Sequence, residues 1–481
     1  MKQKLLLFSS LLLIGLTSNA QIEFIKSTID SNTSARPYAV AASDLTGDGN
    51  TDLAIGTYNG SKVAWYKNNG DETFSPGVIL EATGTAALSF IESIAIADLN
   101  NDGFNDIIAT GGGSNNLVWF QNNGDETFQP AQLISSEIDG AGAVKVANID
   151  NDPNGNLDII VSGYYLDGIV YFLGNGDGTF GPMKILAQEA ANSGPGSFDI
   201  ADFDGDGDLD VVVGYTSGGF IKLYDNKLVQ DGLDTSGDVP FEPYTTTVDS
   251  DNGWLWSVIF ADVNNDGNLN IVKSDSEPTT GNATLAWYSS DTAGIETTFT
   301  ETVVPTSFSH GGAVNVADIN NNGYNDLILG NSYSSGVDLI VFEGNEDGSL
   351  GEELILDDTT GTIFSMALAD FNNDEKLDIA TISYLLNDLN VFFNNTTLST
   401  PSFETTEIVL FPNPVKNTLY LKSNKTEDMK VSVYNILGEK VFNSTLSAIH
   451  GLDVSNLSNG VYFIKLDNNN NNKSTFKFVK Q

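Results

Sequence analysis

The 481-residue chain has no cysteine. Disulfides, thiolate metal sites and a cysteine nucleophile are therefore excluded. Histidine occurs twice, at His310 and His450, and no zinc-binding or nucleophile-elbow motif is present. Basic residues are scarce, with 21 Lys and Arg against 64 Asp and Glu, for a net charge of −43. Without a basic face for phosphate, nucleic-acid binding is excluded. Convincing helical periodicity is missing, and so is any apolar run after residue 20 that could span a bilayer.

The apolar run that does exist is N-terminal. Lys2 and Lys4 precede Leu5 to Leu16, and small residues end at Ser18-Asn19-Ala20. Residues 1–20 read as a secretory signal peptide, cleaved before Gln21. A membrane anchor fits less well, because about a dozen apolar residues is short for a span.

The acid is clustered. A nine-residue pattern (acid, x, acid or Asn, x, acid, Gly, x, x, acid) recurs seven times, at intervals of 54, 50, 54, 60, 56 and 52 residues. Its side-chain oxygens come from positions 1, 3, 5 and 9. These are Asp44, Thr46, Asp48 and Asp52, then Asp98, Asn100, Asp102 and Asp106. The third loop has Asn148, Asp150, Asp152 and Asp158, with a two-residue insertion around Pro153-Asn154. The fourth has Asp202, Asp204, Asp206 and Asp210. The last three are Asp262, Asn264, Asp266 and Asn270; Asp318, Asn320, Asn322 and Asp326; and Asp370, Asn372, Asp374 and Asp378. Position 7 offers a backbone carbonyl, from Asn50, Phe104, Asp208, Asn268, Tyr324 and Lys376.

Carboxylates this close repel unless a cation joins them. Six to eight oxygens suit a hard divalent ion such as calcium, and more charged ligands bind it tighter. The fourth loop is expected to be the tightest, and the fifth and sixth the weakest. An EF-hand is excluded, because position 12 is Val213 where a bidentate Glu is needed. The plainer alternative is a set of Asx turns without metal.

Alternating apolar runs flank each loop, and an aromatic-rich run follows, such as Val63-Ala64-Trp65-Tyr66. Four strands per unit of about 50 residues make one propeller blade. The predicted fold is all-β, a seven-bladed propeller over 21–396. A linker, 397–409, and a small β-sandwich, 410–481, follow. The seventh unit lacks a fourth strand, which the orphan run Ile22–Lys26 is expected to supply. Residues 415–481 hold 5 acids and 9 lysines, a charge reversal that marks a separate module.

The loops and their Asn-Gly-Asp-x-Thr-Phe continuations resemble the FG-GAP/VCBS repeat family, similar in fold to the integrin α-subunit propeller. The resemblance covers about Ile22 to Asn395 and implies up to seven calcium ions, one per blade. Asn148 with its insertion, Asn270 and Glu375 depart from the pattern. The tail resembles the type A sorting domain of type IX secretion. Its motifs are Leu410–Pro414, Val433–Val441, Leu457–Tyr462 and Lys477–Lys480. This implies the type IX machinery as a partner, and an extracellular or outer-membrane-surface location.

Stepping back eight and six residues from each loop gives candidate ligand contacts: Arg36, Tyr38, Phe90, Glu92, Trp254, Trp256, His310 and Phe364. They should ring the channel mouth opposite the loops, with Tyr58, Tyr164, Tyr215, Tyr333 and Tyr384 nearby. Trp65, Trp119 and Trp287 sit mid-strand and read as core. The expected function is a monomeric, non-catalytic binding or adhesion module for a glycan or a surface protein. The alternative is a calcium-dependent polysaccharide lyase or hydrolase, its carboxyl pair hidden among the acids.

Overall fold

A computed structural model describes residues 22–33, 36–232, 237–250, 253–276, 283–290, 297–308, 310–333, 337–396, 409–422, 429–435, 440–446, 451–467 and 473–481. The signal peptide and residues 397–408 of the linker lie outside them. The chain divides into two units, 20–398 and 399–481 with 1–19.

The first unit is a seven-bladed propeller of four-stranded antiparallel sheets. Blade 1 runs Pro37–Ser43, Asp52–Thr57, Val63–Tyr66 and Val78–Leu80; blades 2 to 6 repeat this order through Leu350–Asp357. Blade 7 takes three strands, Met366–Ala369, Asp378–Ser383 and Asp388–Asn394, from the end of the unit. Its fourth is the N-terminal strand Phe24–Asp30, with Phe24 opposite Asn394. The orphan strand thus closes the ring as expected. The first strands of successive blades are neighbours all round, and that of blade 7 lies beside that of blade 1.

The second strand of every blade is buried on both faces, which is why it reads as an unbroken apolar run. Cores form between adjacent blades. Trp119, for example, packs with Leu99 of its own blade and Ile138, Val144 and Ile159 of the next. Trp65 and Trp119 are core, as read from the sequence, and Trp287 packs against the core from a half-buried position.

Register is constant around the ring. The residue before loop position 1 always pairs with position 9, as in Ser43 with Asp52 and Ala369 with Asp378. The third loop obeys this too, pairing Ala147 with Asp158, so its insertion is absorbed without a slip. Among the described residues, two single helical turns, Gly84–Ala86 and Leu228–Asp231, stand between the strands of this otherwise all-β unit.

The second unit is a β-sandwich. One sheet holds Val409–Phe411, Thr418–Lys422 and Leu452–Asp453; the other holds Lys440–Leu446, Met429–Asn435, Gly460–Asp467 and Lys473–Lys480. Val415, Leu419, Val431, Val433, Ile464 and Phe478 fill its core.

Candidate functional sites

The acidic loops cap one end of the strands. Position 9 is fully buried or nearly so in every blade. In blade 1, Asp52 Oδ2 accepts the Leu45 N–H at 2.9 Å, and Oδ1 accepts the Asn68 N–H at 2.8 Å. The same pair of bonds recurs at Asp106, Asp158, Asp210, Asp326 and Asp378. This carboxylate locks the loop entry to the end of the third strand. Burial pushes its pKa up against these bonds, to about 6 at Asp52 and about 8 at Asp210.

Position 1 divides the loops. Asp44, Asp98, Asp262, Asp318 and Asp370 each accept the backbone N–H of position 6 at 2.7–2.9 Å. These are Asx-type closures, the geometry of the plainer alternative. In the seventh loop the position-6 donor is Glu375, held at φ 66° where other loops use glycine. Asn148 bonds instead to the amide and carbonyl of Asp152.

The fourth loop differs. Carboxylate oxygens of Asp202, Asp204 and Asp210 lie within 4.8 Å of one another, and so do those of Asp204, Asp206 and Asp225. Gly205 and Gly207, at φ 78° and 100°, supply the left-handed turns that wrap the chain around this point. The donor set is all oxygen and converges, so it fits a hard divalent cation. Asp202, Asp204 and Asp210 would hold it, with Asp206 and Asp225 as a second set about Asp204. Lysines reach three of the acidic clusters: Lys67 Nζ lies 3.5 Å from Asp48, Lys376 Nζ lies 3.0 Å from Asp374, and in the fourth loop Lys227 pairs with Asp225.

At the opposite end of the strands is a cavity of about 1110 Å³, lined by the first strands of all seven blades. Register shifts near the strand starts build its wall. In blades 1, 2 and 5 the extra residue is Tyr38, Glu92 or Trp256, each skipped by the pairing on either side. Such a bulge re-aims its side chain, and all three line the cavity with Phe90, Trp254 and Phe364.

The rings touch. Tyr38 lies 5.5 Å from Tyr58 and 5.0 Å from Phe364; Tyr58 stacks on Phe90 at 4.8 Å; Trp256 reaches Phe364 at 5.3 Å. Trp254 is 57% exposed. Arg36 and His310 stand outside this lining. Arg36 lies over the Tyr384 ring at 5.0 Å and donates to its hydroxyl at 3.2 Å, while His310 packs on Tyr333 at 4.7 Å. Tyr215 departs from the expected face altogether. It is fully buried, stacked on Phe220 and bonded to the Tyr224 hydroxyl.

Family models match both units. The FG-GAP-like repeat matches residues 44–109, 98–154, 152–213 and 318–381, and the secretion system C-terminal sorting domain matches 409–481. The chain is an FG-GAP repeat propeller with a type IX sorting tail. Such tails mark proteins exported by the type IX system to the cell surface or the extracellular space. Nothing among the curated proteins matches. Among solved structures, one described as the basis of specific recognition of non-reducing terminal N-acetylglucosamine by an Agrocybe aegerita lectin aligns at 22% identity. It covers 68% of this chain and 81% of that one, with a TM-score of 0.46.

Two elements of this FG-GAP propeller escaped sequence reasoning. Asp225, at the end of a third strand, joins the fourth loop although it lies outside the nine-residue pattern. The corresponding residue is Lys67 in blade 1 and Gln121 in blade 2, so no repeat signal points to it. Four asparagines, Asn68, Asn122, Asn226 and Asn394, each donate to the position-2 carbonyl of the preceding blade's loop. Their recurrence 16 residues after position 9 was the available signal.

Proposed function

We propose that this exported FG-GAP propeller is a non-catalytic glycan-binding module whose acidic loops take calcium, with residues 1–20 as its export signal. The observation that carries the reading is the aromatic mouth of the channel. Tyr38, Tyr58, Phe90, Trp254, Trp256 and Phe364 gather there beside a cavity of about 1110 Å³. Flat rings stack on sugar faces, and a few polar groups orient the ligand. The calcium loops lie at the other end of the strands, which suits a structural role: ion binding adds stability to the ring without occupying the mouth.

The mouth gives less support to hydrolysis. A glycosidase works with two carboxyl groups, and the described lining carries one, Glu92. The test is a glycan array with the mature chain, run with and without calcium. Binding that needs Trp254, judged by a Trp254→Ala variant with unchanged melting temperature, supports the reading. Signal unaffected by that change, or release of reducing ends from the bound polysaccharide, refutes it.

A further inference from the structure

We infer that the ligand of the channel mouth carries a protonated amine, as a 2-amino sugar does, and that Glu92 is the counter-charge that receives it. This rests on the glycan reading and narrows it to a chemical class.

Among the described residues the lining holds two charged side chains, Glu92 and Lys145. Lys145 is committed, its Nζ lying 2.8 Å from Asp199. Glu92 makes no hydrogen bond or ion pair with any described residue. It stands on a bulge that aims it inward. Its stem packs where a side chain at position 112 would stand: a Cβ on Gly112 would lie 3.0 Å from Glu92 Cγ. The carboxylate is thus positioned by the fold, among aromatic rings, without a hydrogen-bond or ion-pair partner among the described residues.

A half-buried carboxylate without a partner is costly unless something supplies one. A neutral sugar hydroxyl would give a hydrogen bond, but a charge-assisted bond from an ammonium is about twice as strong. The surrounding rings add to the preference, because aromatic faces attract cations. The rim already displays this: the Arg36 guanidinium sits 5.0 Å over Tyr384. The field of the whole unit acts in the same sense. Residues 21–414 hold 59 acids against 10 basic residues, so cationic glycans are steered in and uronate or sulfate polymers repelled.

Desolvation pushes the Glu92 carboxyl up to about 7. The other titratable groups facing it are the phenols of Tyr38 and Tyr58, both raised above their usual range by burial, with Tyr384 and Lys145 further along the wall. As pH falls through about 7, Glu92 takes up a proton while an amine stays charged. Attraction is therefore lost toward acid.

The experiment uses the calcium-loaded mature chain and three probes of equal length: the tetramer of β-1,4-glucosamine, its fully N-acetylated form, and tetralysine. Calorimetry at pH 7.5 is expected to show the free-amine sugar binding at least tenfold tighter than the acetylated one. Glu92→Gln should erase that difference at unchanged melting temperature. In case Gln unsettles the mouth, Gly112→Ala, which crowds Glu92 from outside the lining rings, should weaken the amine sugar selectively. Equal or tighter binding of the acetylated tetramer overturns the amine inference and leaves the glycan reading standing. Glu92-dependent binding of tetralysine as tight as that of the sugar overturns the sugar assignment. Failure of all three probes to bind overturns the inference, and the glycan array then decides the broader reading by itself.

Discussion

Asn122 of blade 2 donates from Nδ2 to the Leu45 carbonyl of blade 1 at 2.7 Å, and to the Asn105 carbonyl of its own blade at 2.9 Å. Both ends are buried, and Leu45 is held in turn by Asp52. One amide thus ties an acidic loop to the neighbouring blade. Asn68, Asn226 and Asn394 do the same at three other seams. Blades 3 and 6 place Gly174 and Gly344 at this point and make no such tie.

Removing the amide takes the donor from the buried Leu45 carbonyl and from the part-buried Asn105 carbonyl, and an unsatisfied buried acceptor costs about 1–3 kcal/mol. Asn122→Ala is therefore expected to destabilise the propeller by roughly 2–4 kcal/mol, measured by denaturant unfolding. Gly181→Ala, outside the seams, should cost under about 1 kcal/mol. Equal effects would mean that the asparagine does not fasten the blades.

The fourth loop should own the tightest cation site. Two groups of three carboxylates converge there and share Asp204, and no other acidic loop among the described residues brings three together. In a calcium titration of chelator-stripped protein, Asp204→Ala should abolish the highest-affinity phase. Asp318→Ala should leave that phase intact. Asp225→Asn should weaken it without abolishing it, because Asp225 touches the second carboxylate group and not the first. Loss of the tight phase in Asp318→Ala alone would reverse the ranking.

Without cation, the buried position-9 carboxyls set the pH dependence. Burial raises Asp52 and Asp378 to about 6, Asp106, Asp158 and Asp326 to about 7, and Asp210 to about 8. Unfolded, each would titrate near 3.9. Between those values the folded chain binds more protons than the unfolded one, so stability falls as pH rises. The penalty is absent below about pH 4 and complete above each folded pKa. In chelator, the melting temperature is expected to drop steadily from pH 5 to pH 8. Calcium should flatten that slope by favouring the ionised carboxylates. A melting temperature in chelator that rises over this range would contradict the assignment of these groups.

The acid pattern carried the ring legibly because each loop needs the same residues at the same offsets, and because the register that follows is constant. Blade 7 was legible from a count of strands. Less legible was whatever depends on two blades at once. Asn122 reads as a turn residue until the Leu45 carbonyl is seen beside it. Tyr215 aligns with Tyr58 and Tyr384 in sequence, yet Phe220 and Tyr224 bury it. The candidate mouth residues were legible by alignment, but their inward aim comes from bulges at Tyr38, Glu92 and Trp256, and pairing is not written in a single strand. Arg36 and His310 stand outside the lining, Arg36 over the Tyr384 ring and His310 against Tyr333.

Ring closure by the N-terminal strand makes the sharpest demand on the fold. Phe24–Asp30 supplies the outer edge of blade 7. Lys26 also crosses to blade 6, its Nζ lying 3.2 Å from Asp357 Oδ2 and donating to Thr360 at 2.7 Å. Deleting residues 22–30 would strip a ladder of about six pairings, each hydrogen bond contributing about 0.5–1.5 kcal/mol, and expose Asp388–Asn394 as a bare edge. The loss, on the order of 5 kcal/mol, rivals the net stability of an ordinary domain. The shortened chain is expected to melt well below the full one and to self-associate in light scattering. A synthetic peptide spanning residues 22–33 should restore the melting temperature in trans, because the vacated edge is specific in register. A truncated chain that stays monodisperse and melts with the parent would show that the ring does not depend on this strand for closure.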